Sequence, residues 1–349
     1  MTDARTVAPA EALSQEKRPV TAHEDESALE TLAGLFKAGG DRLRLDILRV
    51  LRRDTFGVME LSQIFAMRQS GMSHHLKVLA RAGLLEPQRE GNAIFYRRPL
   101  LRGQDSPQHQ AARALFTAVD SLPLPSWLLA RVAEIREQRS AQSQAFFARH
   151  AERFREQQEL IAEHPQYAEP VAELIRRQFQ GHPAGRALEI GPGEGDFLAT
   201  LAERFHQVTA VDNAREMLDQ ARARCQRQGL ENVRLVLGEC DQLLKDPDTA
   251  GAYDLVVANM VLHHMAGPAD VFQHSARLLA SGGRLILSEL CRHEQRWVRD
   301  NCGDLWQGFE PEELTGWALD AGLTSGETVF IGLRNGFQIQ VREFIHRSY

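Results

Sequence analysis

The sequence predicts a small α+β domain joined to a larger α/β domain built on a parallel sheet. Three observations carry this. Apolar Ala187–Ile190 runs into Gly191-Pro-Gly193-Glu-Gly195 and then into helical spacing over Phe197–Phe205, the order strand, glycine turn, helix. Further short apolar runs at Val208–Val211, Val233–Leu237, Asp254–Ala258 and Arg284–Leu287 repeat the alternation of strand and helix that builds a parallel sheet. Ahead of them, residues 30–103 hold 13 Lys and Arg against 7 Asp and Glu, a basic island in a chain of net charge −6.

The glycine turn marks a site. In a parallel sheet the turn after the first strand and the end of the next strand, Asp212, meet at the carboxyl edge, where nucleotides bind. A strand-end acid about 20 residues past the glycines suits a ribose diol. The spacing here is G-x-G-x-G, and the turn carries Glu194 and Asp196, which would repel a pyrophosphate. The two acids are compatible with a ligand that has no phosphate and carries a cation, and S-adenosylmethionine meets both conditions. A tight turn in some other α/β domain is the plain alternative.

The rest of the domain narrows the choice. Gly238-Glu239-Cys240 follows the third apolar run, Asn259-Met-Val-Leu-His-His264 follows the fourth, and Ser281-Gly-Gly283 precedes the fifth. Over residues 140–349 this order resembles the class I S-adenosylmethionine-dependent methyltransferases, especially those acting on small molecules such as quinone precursors. The resemblance implies a Rossmann-like seven-stranded methyltransferase sheet. It also implies cofactor roles for Glu189, Gly191, Gly193 and Gly195 at the methionyl part and for Asp212 at the ribose. Glu239, at a position usually Asp, would hold the adenine amino group, and Asn259 would stand where cofactor and methyl acceptor meet.

The basic island has a pattern of its own. A basic stretch in an acidic chain suggests a polyanion partner. Leu32, Leu35 and Phe36 share a helical face, and Leu43, Ile47, Leu48 and Leu51 form another after Asp41, a plausible cap. A short helix over Val58–Phe65 and a further one over Ser70–Ala82 are separated by Ala66–Gln69, the spacing of a helix-turn-helix. Met72, Leu76 and Leu79 point inward. Gln69, Ser70, Ser73, His74 and Lys77 are left for the major groove. Leu84–Glu86 and Ile94–Arg97 form a hairpin wing whose tip, from Arg89 to Asn92, would follow a phosphate backbone.

The phrases Arg42-Leu-Arg-Leu-Asp-Ile-Leu48, Ser73-His-His-Leu-Lys-Val-Leu79, Ala82-Gly-Leu-Leu85 and Arg89-Glu-Gly-Asn-Ala-Ile-Phe-Tyr96 resemble the ArsR/SmtB family of winged helix-turn-helix regulators. The resemblance implies a homodimeric repressor on a double-stranded DNA operator, released by a ligand. The paired thiolates of metal-sensing members are missing, since Thr55–Leu61 stands in their place. Asp105 and His109 are poor candidates for a second metal site, and Cys291, His293 and Cys302 read as ordinary side chains. The expected metal complement is therefore none.

The domain plan is a disordered tail over 1–28, a winged domain over 29–103, a helical dimerisation, linker and lid region over 104–180, and the methyltransferase domain over 181–349. In the linker, Gln110–Ser121 is helical, Leu122-Pro-Leu-Pro125 breaks it, and Trp127–Glu163 is one long charged helix. Phe146, Phe147, His150 and Phe154 share a face of that helix, suited to packing on the next domain or to covering a cofactor. No apolar run approaches 18 residues and no signal-peptide core opens the chain, so no membrane partner is expected. Four cysteines without a disulfide framework fit a reducing cytoplasm.

Methyl transfer from a sulfonium is an in-line displacement in which the protein mainly positions and desolvates. A base is needed only where the acceptor must lose a proton, and His263 and His264 are the candidates. The segment His293–Asp300 with Asp304, Trp306 and Phe309 is expected to shape the acceptor pocket. No Asn/Asp-Pro-Pro-Tyr/Phe follows the fourth strand and no Pro-Cys occurs, which argues against amino or cytosine-C5 methylation of nucleic acid. Arsenite methylation would need cysteines near the cofactor, and Cys240, Cys291 and Cys302 do not sit in such motifs. Two readings remain. One is a transcriptional regulator that senses S-adenosylmethionine or S-adenosylhomocysteine. The other is a working small-molecule methyltransferase that also controls its own operon.

Overall fold

The computed structural model describes residues 22–90, 93–101, 106–150, 154–181 and 184–347. The amino-terminal domain packs α1 (Ala22–Gly39), α2 (Arg42–Val50), α3 (Val58–Ile64) and α4 (Gln69–Arg81) with three strands. These are β1 (Phe56–Gly57), β2 (Glu86–Glu90) and β3 (Ala93–Arg97), in the order β1-β3-β2. Asp41 caps α2 as expected, its carboxylate accepting the Arg44 N–H at 3.0 Å. Met72, Leu76 and Leu79 are fully buried against Ile47, Leu48 and Leu51, which fixes the inner face of α4.

Several boundaries differ from the sequence reading. Residues 22–28, expected in the tail, begin α1; residues 1–21 lie outside the described residues. Phe36, expected to share the buried face of Leu35, is 62% exposed. The first wing strand starts at Glu86, because Leu84 and Leu85 are drawn into the core beneath it. Gly91, Asn92 and Asp105 lie outside the described residues.

Helix α5 (Pro107–Asp120) packs on α1 and α2, and the Leu-Pro-Leu-Pro segment ends it as expected. The long helix expected over 127–163 is divided. Helix α6 runs Ser126–His150, α7 is a short Phe154–Glu159, and α8 (His164–Gln178) starts a new direction at a capping box on Glu163 and Gln166.

The larger domain is one seven-stranded sheet. Its strands are β4 (Ala184–Ile190), β5 (Phe205–Asp212), β6 (Val233–Leu237), β7 (Tyr253–Asn259), β8 (Leu279–Leu290), β9 (Leu323–Gly332) and β10 (Gln338–His346). The order is β6-β5-β4-β7-β8-β10-β9, parallel up to β8, with β10 antiparallel to both neighbours. Order reverses between β4 and β7, which opens a crevice at the carboxyl ends of these strands. Around the sheet lie α8, α9 (Leu198–Ala202), α10 (Arg215–Gln228), α11 (Cys240–Leu243), α12 (Pro268–Leu278), α13 (Trp297–Cys302) and α14 (Pro311–Asp320). Helix α9 stops well short of Phe205, which the sequence reading placed in it. Phe205 pairs with Ala184 as the first residue of β5 and is 1% exposed.

The two domains share buried contacts. Phe95 of the wing belongs to the apolar cluster beneath the large sheet and meets Trp306 edge-on, ring centres 5.7 Å apart. Arg97 of β3 pairs with Glu313 of α14. Arg136 of α6 donates to Asp54 at 2.8 Å on one side and meets Asp270 at 2.6 Å on the other. Among the described residues, no helix is long and apolar enough to cross a membrane.

Candidate cofactor cavity and DNA-facing helix

A cavity of about 900 Å³ lies at the carboxyl edge of the large sheet. Glu189, Gly191, Gly193, Asp212, Glu239 and Asn259 all line it, so the fold brings these expected cofactor residues together. Gly195 sits beneath the loop, where an added Cβ would press on Ala221 at 3.2 Å. At Gly191, φ is +63° and a Cβ would collide with the Val261 side chain, so both the turn and the close approach require glycine.

The electrostatics of the loop differ from the sequence reading. Glu194 and Asp196 are not free to receive a cation, because Arg155 of α7 and Arg224 of α10 pair with both. The uncompensated acid is Glu189. It is 1% exposed, and its Oε2 accepts no hydrogen bond among the described residues. Burial pushes its carboxyl up to about 8, with the Asn259 side chain opposing and Asp196 and Asp212 reinforcing. Asn259 hands its Oδ1 to the Ser288 hydroxyl at 3.0 Å, which leaves its Nδ2 without an acceptor. An unsatisfied acceptor and an unsatisfied donor thus stand at the loop end of the cavity. Asp212 is raised to about 6 by burial, against the backbone N–H groups of Ala214, Gly193 and Asn213.

Helix α6 forms a wall of the cavity. Its Ser140 hydroxyl donates to Glu239 Oε1 at 3.0 Å, and Asn213 Nδ2 reaches both groups at 3.3 Å. Phe147 packs on Ala214 and Met217 and meets the His264 ring edge-on, centres 5.1 Å apart. Phe147, from the aromatic face read in the sequence, therefore packs on the larger domain and borders the cavity at once. Arg49, Arg52 and Arg53, at the end of α2 and just after it, complete the wall from the amino-terminal domain. These arginines, with Arg155, Arg224 and Ser140, were missed by sequence reasoning. Their roles depend on chain segments far apart in sequence, and no local motif announces them.

The two histidines separate. His264 lines the cavity, whereas His263 is 1% exposed and faces inward, Nδ1 at 2.6 Å from Glu289 Oε1. Burial lowers His263, but the Glu289 and Asp304 charges overcome it and raise the group to about 9. Burial and the neighbouring His263 hold His264 well below its ordinary value. The expected acceptor segment does not reach the cavity. Trp306 and Phe309 are buried in the core, and neither they, Asp304 nor residues 293–299 are among the described residues that line it. The wing takes up Trp306 instead.

On the other domain, Gln69, Ser70, His74 and Lys77 lie exposed on the outer face of α4 and Ser73 is half-buried beside them. Arg89 is exposed on β2. All six expected DNA contacts are thus displayed on a single helix and its adjacent wing.

Residues 188–287 match the model of a methyltransferase domain, and residues 40–88 match that of a helix-turn-helix domain. A 37.1 kDa protein in a transposon of Streptomyces fradiae is 36% identical over 114 residues, 32% of each chain. The ubiquinone biosynthesis O-methyltransferase of Caulobacter sp. (strain K31) is 32% identical over 152 residues, 40% of this chain and 58% of that one. The chain thus spans a third of the first relative and under two thirds of the second. Among solved structures, YcgJ of Bacillus subtilis matches at 15% identity and TM-score 0.43, over 52% of this chain and all of that one. The N-methyltransferase NodS of Bradyrhizobium japonicum, in complex with S-adenosylhomocysteine, matches at 21% identity and TM-score 0.42, over 53% and 89%.

Proposed function

We propose that this chain, a helix-turn-helix DNA-binding domain fused to a methyltransferase domain, is a homodimeric transcriptional repressor whose DNA affinity is set by S-adenosylmethionine or S-adenosylhomocysteine. The observation that carries the reading is the shared cavity. The glycine loop forms one wall and Arg49, Arg52 and Arg53 another, so the cavity that would hold the ligand is bounded by both domains.

The residues fit the cofactor. Glu189 Oε2 and Asn259 Nδ2, for which the described residues supply no well-formed hydrogen bond, complement the amine and carboxylate of a methionyl end. Asp212 stands at the strand end for the ribose hydroxyls, and Glu239, tied to Ser140 of α6, links the adenine side to the wall helix. When bound, S-adenosylmethionine supplies an electrophilic methyl group on a sulfonium. The protein's part is to hold the donor, exclude water with α6 and orient an acceptor beside Asn259 and His264. Exposed Leu29 and Phe36 on α1, which packs with α5, supply an apolar surface for a second copy.

Turnover is a second reading, with one observation in its favour. The cavity is at the upper end of the roughly 300–1,000 Å³ range of small-molecule sites, which gives a methyl acceptor room beside the cofactor. The acceptor would be a small molecule, in line with the sequence reading.

The test is a fluorescence-anisotropy titration of the protein onto the DNA upstream of its gene, at fixed salt, with and without each cofactor form. A coupling of about 1–3 kcal/mol would shift affinity roughly 5–150-fold. Tight binding with no shift from either form would refute the sensor. Product formation with a small-molecule acceptor would then carry the enzyme reading.

A further inference from the structure

We propose that His263, His264 and Asp304 form a binding site for one divalent transition-metal ion of zinc's class. The site does not rest on the DNA-binding or methyl-transfer readings, though it shares His264 with the latter. The three side chains each offer one ligand atom, and these atoms lie within 4.8 Å of one another. Asp304 Oδ1 is 3.6 Å from His264 Nδ1 and 3.9 Å from His263 Nε2. Such separations are too long for hydrogen bonds. They are close to the spacing of about 3.3 Å that tetrahedral bonds of about 2.0–2.1 Å impose on ligand atoms.

The Asp304 carboxylate supplies the second observation. It is 2% exposed, and neither oxygen makes a hydrogen bond among the described residues. A buried carboxylate is costly unless it is paired, hydrogen-bonded or bound to a metal. Its two neighbours are imidazoles, and an ion held by all three would satisfy it.

The surroundings are those of a metal site. Glu289 holds His263 Nδ1 at 2.6 Å, which leaves Nε2 turned toward Asp304. The Gly303 backbone hydrogen-bonds the His264 ring. Carboxylate and backbone partners of this kind orient ligating histidines. Two imidazoles and one carboxylate suit zinc and its neighbours, and a doubly charged ion balances the two buried carboxylates of Glu289 and Asp304. His264 stands on the cavity wall, which gives the ion a route in and leaves its remaining position to water or another oxygen donor.

The rival arrangement is a protonated His263 held between the two carboxylates with no ion. To decide, the full-length protein is stripped with a chelator and titrated with Co²⁺. One ion per chain is expected, with the intense visible bands of low-coordinate nitrogen and oxygen ligation, displaced by one equivalent of Zn²⁺. Asp304→Asn should abolish these bands, and Glu289→Gln should weaken binding about 10–100-fold. Far-UV circular dichroism and melting report folding; if Asp304→Asn does not fold, His264→Gln makes the same test. No stoichiometric uptake by the wild type would overturn the site in favour of the protonated pair. A thiolate charge-transfer band, or unchanged affinity in the folded variants, would also overturn it.

Discussion

The Arg139 guanidinium clasps the Glu60 carboxylate through Nε at 2.7 Å and Nη2 at 2.6 Å. Arg139 lies on α6, 6% exposed, and Glu60 lies on α3, the first helix of the helix-turn-helix. The same guanidinium donates to the Ala266 carbonyl at 3.2 Å, in the segment after β7 that carries His264, and packs over Phe56 and Trp306. One side chain of α6 therefore joins α3 of the amino-terminal domain to the segment that follows β7 in the larger one. Arg139→Met leaves Glu60 without its charge partner, and breaking such a pair costs about 3–5 kcal/mol. Adding Glu60→Gln should recover part of that loss, which a double-mutant cycle by chemical denaturation measures. In the folded double variant, operator binding and cofactor binding should persist while the effect of one on the other disappears.

In the proposed reading, the outer face of α4 is the part that sets sequence preference. Ser73→Ala and His74→Ala should each weaken specific binding by about 1–3 kcal/mol for a lost base contact. Calorimetric S-adenosylhomocysteine affinity should stay unchanged. Lys77→Ala should act differently, lowering the salt dependence by about one phosphate contact and affecting all sequences alike. Operator affinity unchanged in Ser73→Ala and His74→Ala would remove α4 as the recognition helix.

At the cofactor end, Asp212 and Glu239 should part company. Among the described residues, Asp212 is held by three backbone N–H groups and by no side chain. Loss of a charged hydrogen bond to the ribose is worth about 1.5–3 kcal/mol. Asp212→Ala should therefore reduce cofactor affinity on the order of 10- to 100-fold by calorimetry and remove the ligand effect on DNA binding. Glu239→Gln retains an acceptor for Ser140 and should cost less. A retained ligand effect on DNA in an Asp212→Ala protein that binds no cofactor would break the link between the two domains.

Much of this was legible in the sequence because it depends on local spacing. The Gly191–Gly195 turn, the buried face of α4 and the acid at Asp212 all follow from residues a few positions apart. The last two strands were not read directly. In β10, Ile339, Val341 and Phe344 alternate with Gln340, Arg342 and Glu343, and a register shift between Arg342 and Phe344 breaks the period. The polar partners are themselves buried, Arg342 donating to the Pro311 carbonyl and to Thr315, so the strand lacks a plain apolar face. The charge state of the glycine loop was misread for a related reason. Glu194 and Asp196 look free in sequence, yet Arg155 and Arg224 arrive from elsewhere in the chain to pair them. Trp306 was likewise drawn from the expected acceptor pocket to the wing by Phe95, a residue of the other domain.

Glu189 gives the fold a pH signature. Its carboxyl stands at about 8 in the folded chain, raised by burial from an ordinary 4.5. Between these values the native state holds a proton that the unfolded state has released, so this group's contribution to stability is full below about 4.5 and falls as pH rises toward 8. Glu189→Gln removes this contribution. Denaturation of wild type and Glu189→Gln across pH 5–9 should therefore show the variant gaining relative stability as pH rises to about 8 and holding level above it. A cationic methionyl amine favours the ionised carboxylate, so wild-type cofactor affinity should rise over the same interval, with proton release detectable in buffers of different ionisation enthalpy. Parallel stability curves would mean that Glu189 is already ionised in the folded protein and that burial does not govern its charge.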